Sequence, residues 1–237
     1  MIRAELQRSW VLLWKDLLIE RRAKAAFNAM AFFAGVVLLT FGFAVGPDAP
    51  GVAVETGGGT LLQHLSPGLV WVAILFTSQL AADRSFQLEL ERGGLDALRV
   101  YPGDRKALYF GKLLANLAIL LLMEAVLLPF AGILYSLDLW ARLPQLAGVA
   151  VLTTLALSAT GTFYAALTAN LRARQVLLPL LLFPVLIPVL LAAVKATGLV
   201  LRGDPMNELA SWVKLLGAAD VLFLIVAALT FEYVVEE

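Results

Sequence analysis

Residues 108–135 read LYFGKLLANLAILLLMEAVLLPFAGILY, and in this run only Lys112 and Glu124 carry charge. A hydrocarbon core about 30 Å thick takes about 20 mostly apolar helical residues to cross, because lipid offers no partner to an exposed backbone N–H or C=O. The run meets that requirement, so it reads as a membrane span. The rest of the chain agrees: 61% of its residues are hydrophobic and its mean hydropathy is +0.86, whereas an average soluble domain is about 45–50% apolar.

Working outward, five more stretches qualify: Ala25–Val45, Leu61–Ala82, Leu143–Ala169, Val176–Val200 and Val213–Val234. The expected fold is an all-α membrane protein with six transmembrane helices. Residues 1–24 are charged and amphipathic, with Leu6, Trp10, Leu13, Trp14 and Leu17 at helical spacing, which reads either as an N-terminal interfacial helix or as a flank that holds the first span in place. No short apolar region with a small-residue cleavage site precedes the first span, so no cleaved signal peptide is expected. Residues 25–237 then form one six-helix transmembrane domain whose main loop between spans is 83–107.

Charge placement orients the spans, although the eighteen basic and eighteen acidic residues cancel overall. Arg3, Arg8, Lys15, Arg21, Arg22 and Lys24 precede the first span. Arg84, Arg92, Arg99, Arg105, Lys106 and Lys112 surround the second connection, and Arg172 and Arg174 lie in the fourth. The opposite side holds only Arg142, Lys195, Arg202 and Lys214, and the Gly-rich loop from Gly46 to Thr60 has no basic residue. The positive-inside bias therefore places both termini in the cytoplasm. Trp10 and Trp14 at one boundary, with Trp140 and Trp212 at the other, fit the aromatic belts of that orientation.

In the second connection the helix is expected to continue into water as far as Glu91, and Gly93-Gly94 to end it. A short helix around Leu95 and Leu98 follows, Pro102-Gly103 stops it, and Asp104 caps the next span. Leu95, Leu98 and Tyr101 would suit a docking surface; a solvated charged loop is the other reading. Thr154, Ser158, Thr162, Gly161 and Ala165 allow close helix approach, which predicts a buried bundle position for the fourth span. Pro179, Pro184 and Pro188 predict a kinked or broken fifth span.

Glu124 is the sharpest intramembrane candidate: it is either a hydrogen-bonded structural carboxyl or a group in direct contact with substrate or protons. Lys195 and Asp220 fall nearer span ends and read as structural. His64, the single histidine, stands at the outer end of the second span, either as a metal or iron ligand or as a helix-entrance residue. With no cysteine, thiolate, iron–sulfur and Cys-ligated zinc chemistry are excluded. No phosphate-binding loop occurs, since Gly111-Lys112 is followed by Leu113. The residues alone leave open a transporter subunit, a membrane scaffold and an intramembrane enzyme using Glu124.

The run Leu65-Ser66-Pro67-Gly68-Leu69-Val70-Trp71-Val72-Ala73, the Arg84 to Pro102 loop, Gly111-Lys112 and Arg172-Ala173-Arg174-Gln175-Val176-Leu177-Leu178-Pro179 resemble the CcmB family, the haem exporter protein B of cytochrome c maturation. The resemblance implies an ABC-2-type transporter membrane domain: a non-catalytic permease subunit in the bacterial inner membrane, paired with a second copy and with a CcmA-type ATPase that holds the ATP. It also implies CcmC- and CcmD-type membrane subunits, the periplasmic chaperone CcmE, and haem as the cargo. A related permease for a lipid, polysaccharide or drug would share the same outline. The coupling surface for the ATPase is expected at Glu91, Arg92, Gly93, Gly94, Leu95, Asp96, Leu98 and Arg99. No catalytic, cofactor-binding or metal-binding set is assigned to the chain.

Overall fold

The computed structural model describes residues 2–46, 60–91, 105–169, 171, 174–204 and 206–236. Among them are seven α-helices, one 3₁₀ turn and no strand: α1 (Ile2–Ala23), α2 (Ala25–Val45), α3 (Leu61–Glu91), α4 (Arg105–Leu134), the 3₁₀ turn Trp140–Arg142, α5 (Leu143–Thr168), α6 (Arg174–Arg202) and α7 (Leu209–Glu236). Each of α2 to α7 is long and apolar enough to cross a membrane. The chain is thus a multi-pass membrane protein, with six spans where the hydropathy places them. As expected, α3 continues past its apolar part to Glu91.

The small residues of α5 put it at the centre, in contact with α3, α4, α6 and α7. In its most apolar stretch 67% is buried, against 22% for α2 and 17% for α7. Gly161 marks one close approach, where an added Cβ would lie 3.3 Å from the Ala82 Cβ of α3. Large side chains go outward instead: Phe32, Phe43, Leu180, Leu191, Leu222 and Leu229 are all exposed. This pattern suits lipid, which solvates a leucine as well as another leucine does, so that small residues bring helices together.

Helix α6 is not broken. It runs uninterrupted from Arg174 to Arg202 with Pro179, Pro184 and Pro188 inside it. Leu182, Leu186 and Val189 between and beside these prolines are completely buried, so packing holds the helix where propensity alone would interrupt it. In α3, Pro67 has no N–H for the carbonyl of Gln63, and the Ser66 hydroxyl donates to that carbonyl instead at 2.9 Å. A capping box opens the same helix: Thr60 N–H donates to Gln63 Oε1 at 3.1 Å and Gln63 N–H to Thr60 Oγ1 at 3.3 Å.

Helix α1 lies along the first turns of α4, the two running in the same direction. Ser9 Oγ donates to the carbonyl of Ala107 at 3.1 Å, and Leu12 sits over Gly111. The face turned to the bundle is therefore Ser9, Leu12, Leu13 and Asp16, whereas Trp10 and Trp14 of the expected stripe are exposed. The reason is steric, because Gly111 leaves a gap that Leu12 fills, and a count of apolar spacing does not register it. At the end of α1, Lys24 turns the chain with φ 51° and Glu20 Oε1 accepts the N–H of Phe27 at 2.7 Å.

A Cβ at Gly111 would fall 2.8 Å from Leu12 Cβ and 3.2 Å from the carbonyl oxygen of Ser9, whereas one at Gly148 would meet nothing within 4 Å. Gly111→Ala is expected to destabilise the detergent-solubilised protein by about 1–3 kcal/mol. Gly148→Ala should be neutral or stabilising by up to about 1 kcal/mol. Thermal unfolding of the two variants side by side checks the pair.

Candidate functional site

Lys112 projects from α4 into the angle between α1 and α3 and is only 2% exposed. Its Nζ is 2.9 Å from Asp16 Oδ2 of α1 and donates to the Ser85 carbonyl of α3 at 3.1 Å. It also lies 5.9 Å from the centre of the Phe86 ring. A buried ammonium needs both a counter-charge and hydrogen-bond acceptors, and here three helices supply them. Residues 92–104 connect α3 to α4, so this joint ties α1 to both helices that carry that segment.

Glu91 ends α3. Arg92, Gly93, Gly94, Leu95, Asp96, Leu98 and Arg99, together with the expected short helix and the Asp104 cap, lie outside the described residues. The joint itself was not among the expected sites. Its signal in the sequence was a lysine inside an apolar run beside a glycine, with an aspartate on the preceding amphipathic helix.

Deeper in the bundle, Glu124 of α4 is 2% exposed. Its Oε1 lies 2.5 Å from Thr154 Oγ1 of α5, and that hydroxyl is also 2.7 Å from the carbonyl of Ala150, so one proton faces two acceptors. Glu124 Oε2 has no partner. The same α4–α5 seam carries Asn116 Nδ2 donating to Thr162 Oγ1 at 2.9 Å and the Tyr109 hydroxyl donating to the Ala159 carbonyl at 3.1 Å.

Asp220 differs from its sequence reading. It stands at the middle of the span Leu209–Phe231, 3% exposed and with neither carboxylate oxygen partnered. The shift comes from where α7 starts, about a turn earlier than hydropathy suggests. The Asp204 carboxylate accepts the N–H groups of Glu208 at 2.8 Å and Leu209 at 2.9 Å, favourable at a helix N-terminus. Lys195 is exposed near the end of α6, where a lysine can reach the interface.

At the other end of the bundle, His64 Nδ1 is 3.1 Å from the carbonyl of Thr60. A carbonyl can only accept, so Nδ1 carries the proton in this contact. Arg202 Nη1 reaches the His64 carbonyl at 3.5 Å, joining α6 to α3, and Gln63 Nε2 donates to the Ser136 carbonyl at 3.0 Å, joining α3 to the end of α4. No group of three or more His, Cys, Asp or Glu that could hold a metal occurs among the described residues. The geometry therefore does not bring His64 and Glu124 into one site, and it leaves them at different levels of the bundle.

A family model described as CcmB protein matches residues 7–236. The chain is 36% identical over 200 residues to heme exporter protein B of Paracoccus denitrificans, covering 84% of this chain and 86% of that one. It is 35% identical over 203 residues to heme exporter protein B of Pseudomonas aeruginosa, 85% of each chain. The Rhodobacter capsulatus protein of the same name is 35% identical over 185 residues, 76% of this chain and 78% of its own.

Removing Asp16 leaves the Lys112 charge buried and should cost about 3–5 kcal/mol, removing Lys112 should cost less because Lys15 Nζ lies 3.6 Å from Asp16 Oδ1, and removing both should cost less than the sum. The drops in unfolding temperature of Lys112→Met and Asp16→Leu are thus expected to sum to more than the drop of the double variant. A double-mutant cycle on the purified membrane protein measures this coupling, and a coupling near zero would show that the pair carries no net interaction.

Proposed function

Because this chain belongs to the CcmB family, we propose that it is the membrane permease subunit of an ABC transporter acting in haem export for c-type cytochrome biogenesis, with ATP hydrolysed on a separate subunit. The name shared by its relatives, heme exporter protein B, supports the haem assignment. The sequence has no phosphate-binding loop of its own, which supports a CcmA-type partner for the nucleotide. CcmC- and CcmD-type membrane subunits, the chaperone CcmE and a second copy of this chain complete the assembly in this reading. The basic residues flanking α1, the α3–α4 connection and the α5–α6 connection support a bacterial inner-membrane location with both termini cytoplasmic.

The observation that carries the coupling role is the joint of Asp16, Lys112 and Ser85. In our reading the ATPase grips the segment Glu91 to Arg99, with Leu95 and Leu98 as its apolar contacts. Movement of that segment acts on the cytoplasmic ends of α3 and α4, and the buried ion pair makes α1 move with them. Helix α1, held along the first turns of α4, then serves as a lever at the inner face. Release of haem, or of its chaperone, follows from the resulting shift of the spans. One histidine and no cysteine favour force transmission over resident haem ligation.

In complex with the ATPase subunit, single cysteines at positions 95 and 98 are expected to crosslink to it, and Leu95→Asp with Leu98→Asp to abolish stimulation of its ATPase. A complex that assembles and stays fully coupled with both aspartates present would overturn the docking assignment. The haem assignment is tested separately in cells, where deletion of the gene should stop holocytochrome c formation while apocytochrome continues to be secreted.

A further inference from the structure

The end of α1, the start of α2 and the middle of α4 bound a groove of about 570 Å³, within the range of about 300–1,000 Å³ that small-molecule sites occupy. Trp14, Leu18, Phe27 and Leu122 give it an apolar wall, and Trp14 and Leu122 are 55% and 59% exposed, so that wall is open to what surrounds the bundle. Arg21 and Lys24 line the same groove. Both stand just before Phe27, the first residue of the span Phe27–Val45, whereas Leu122 lies well inside the span Lys106–Leu134. The groove therefore straddles a membrane boundary, with its cations at headgroup level, where tryptophan is also favoured.

The charges of this groove are available. Arg21 and Lys24 are exposed, and neither pairs with a carboxylate among the described residues. Glu20 also lines the groove, but its Oε1 is turned to the backbone, accepting the Phe27 N–H at 2.7 Å. Two cations and one carboxylate leave this lining with a net charge of +1. A soluble anion would answer the cations and leave Leu18, Phe27 and Leu122 without an apolar partner, and a hydrocarbon chain would do the reverse. A zwitterionic headgroup would bring its own ammonium beside Arg21 and Lys24. A phosphodiester with a neutral headgroup and acyl chains matches both the net charge and the apolar wall.

We propose that this groove is a binding site for an anionic glycerophospholipid of the phosphatidylglycerol type, its phosphodiester held by Arg21 and Lys24 and one acyl chain lying along Leu18 and Leu122. The inference goes beyond the haem-export reading and does not depend on it. A lipid seated there touches α1, α2 and α4 at once, and it holds the turn at Lys24 to the bilayer.

The test uses the full chain in phosphatidylcholine nanodiscs doped with dibrominated phosphatidylglycerol, phosphatidylethanolamine or phosphatidylcholine, with quenching of Trp14 fluorescence as the readout. Subtracting the signal of Trp14→Phe isolates Trp14 from the other tryptophans. Phosphatidylglycerol is expected to be preferred over both zwitterionic lipids by about fivefold, the factor that one net charge gives near a membrane surface. Arg21→Gln should bring that preference close to parity, and so should Lys24→Asn, in which asparagine tolerates the positive φ of this position. Arg22→Gln is the control for diffuse surface charge, because Arg22 is exposed next to Arg21 but does not line the groove; most of the preference should survive it. Ala118→Phe fills the half-buried wall of the groove and leaves every charge in place, and it should abolish the preference in a protein that still folds. Equal quenching by the three lipids, a preference that Arg22→Gln removes as fully as Arg21→Gln, one indifferent to Ala118→Phe, or displacement of the brominated phosphatidylglycerol by inorganic phosphate would each overturn the proposal.

Discussion

In hydrocarbon, apolar side chains gain little by leaving lipid for one another, so helices cohere through close backbone approach and through polar groups that have no other partner. Every level of this fold follows from that constraint. Helix α5 supplies the close approach, with Gly161 against Ala82. The polar contacts converge on the same core: Thr154 with Glu124, Thr162 with Asn116, the Ala159 carbonyl with Tyr109, and on α3 and α6 Trp71 Nε1 donating to Thr197 Oγ1 at 2.9 Å. Bulky residues are left to the outer helices, which can turn them to lipid or to another copy.

The same scarcity of partners explains how prolines are tolerated. Each one in α3, α4 and α6 removes a donor that water would replace in a soluble protein. At Pro67 the neighbouring Ser66 makes the replacement. In α6 fully buried neighbours hold the helix together. These are local solutions to one problem.

Lys112 shows how a charge can be used where charges are expensive. Buried at the meeting of α1, α3 and α4, it pairs with Asp16 and donates to the Ser85 carbonyl at once, and Gly111 beside it lets α1 come close enough for the contact. The proposed transmission of motion through α1 depends on such a rigid joint, because a loosely attached amphipathic helix would absorb displacement instead of passing it on.

The number of spans, their ends to within a few residues, the extension of α3 to Glu91 and the central place of α5 were legible in the sequence, because hydropathy, side-chain size and glycine or proline positions are properties of the chain read along its length. Which face of α1 meets the bundle, the pairing of Asp16 with Lys112, the mid-span burial of Asp220 and the unbroken course of α6 were decided by tertiary structure. Those depend on which side chains from distant segments meet, and a residue's partner across 96 positions, as for Asp16 and Lys112, leaves no periodicity in the sequence to read. Hydropathy thus determined that the chain crosses the membrane and how often, whereas close packing between helices determined where its charges could be held.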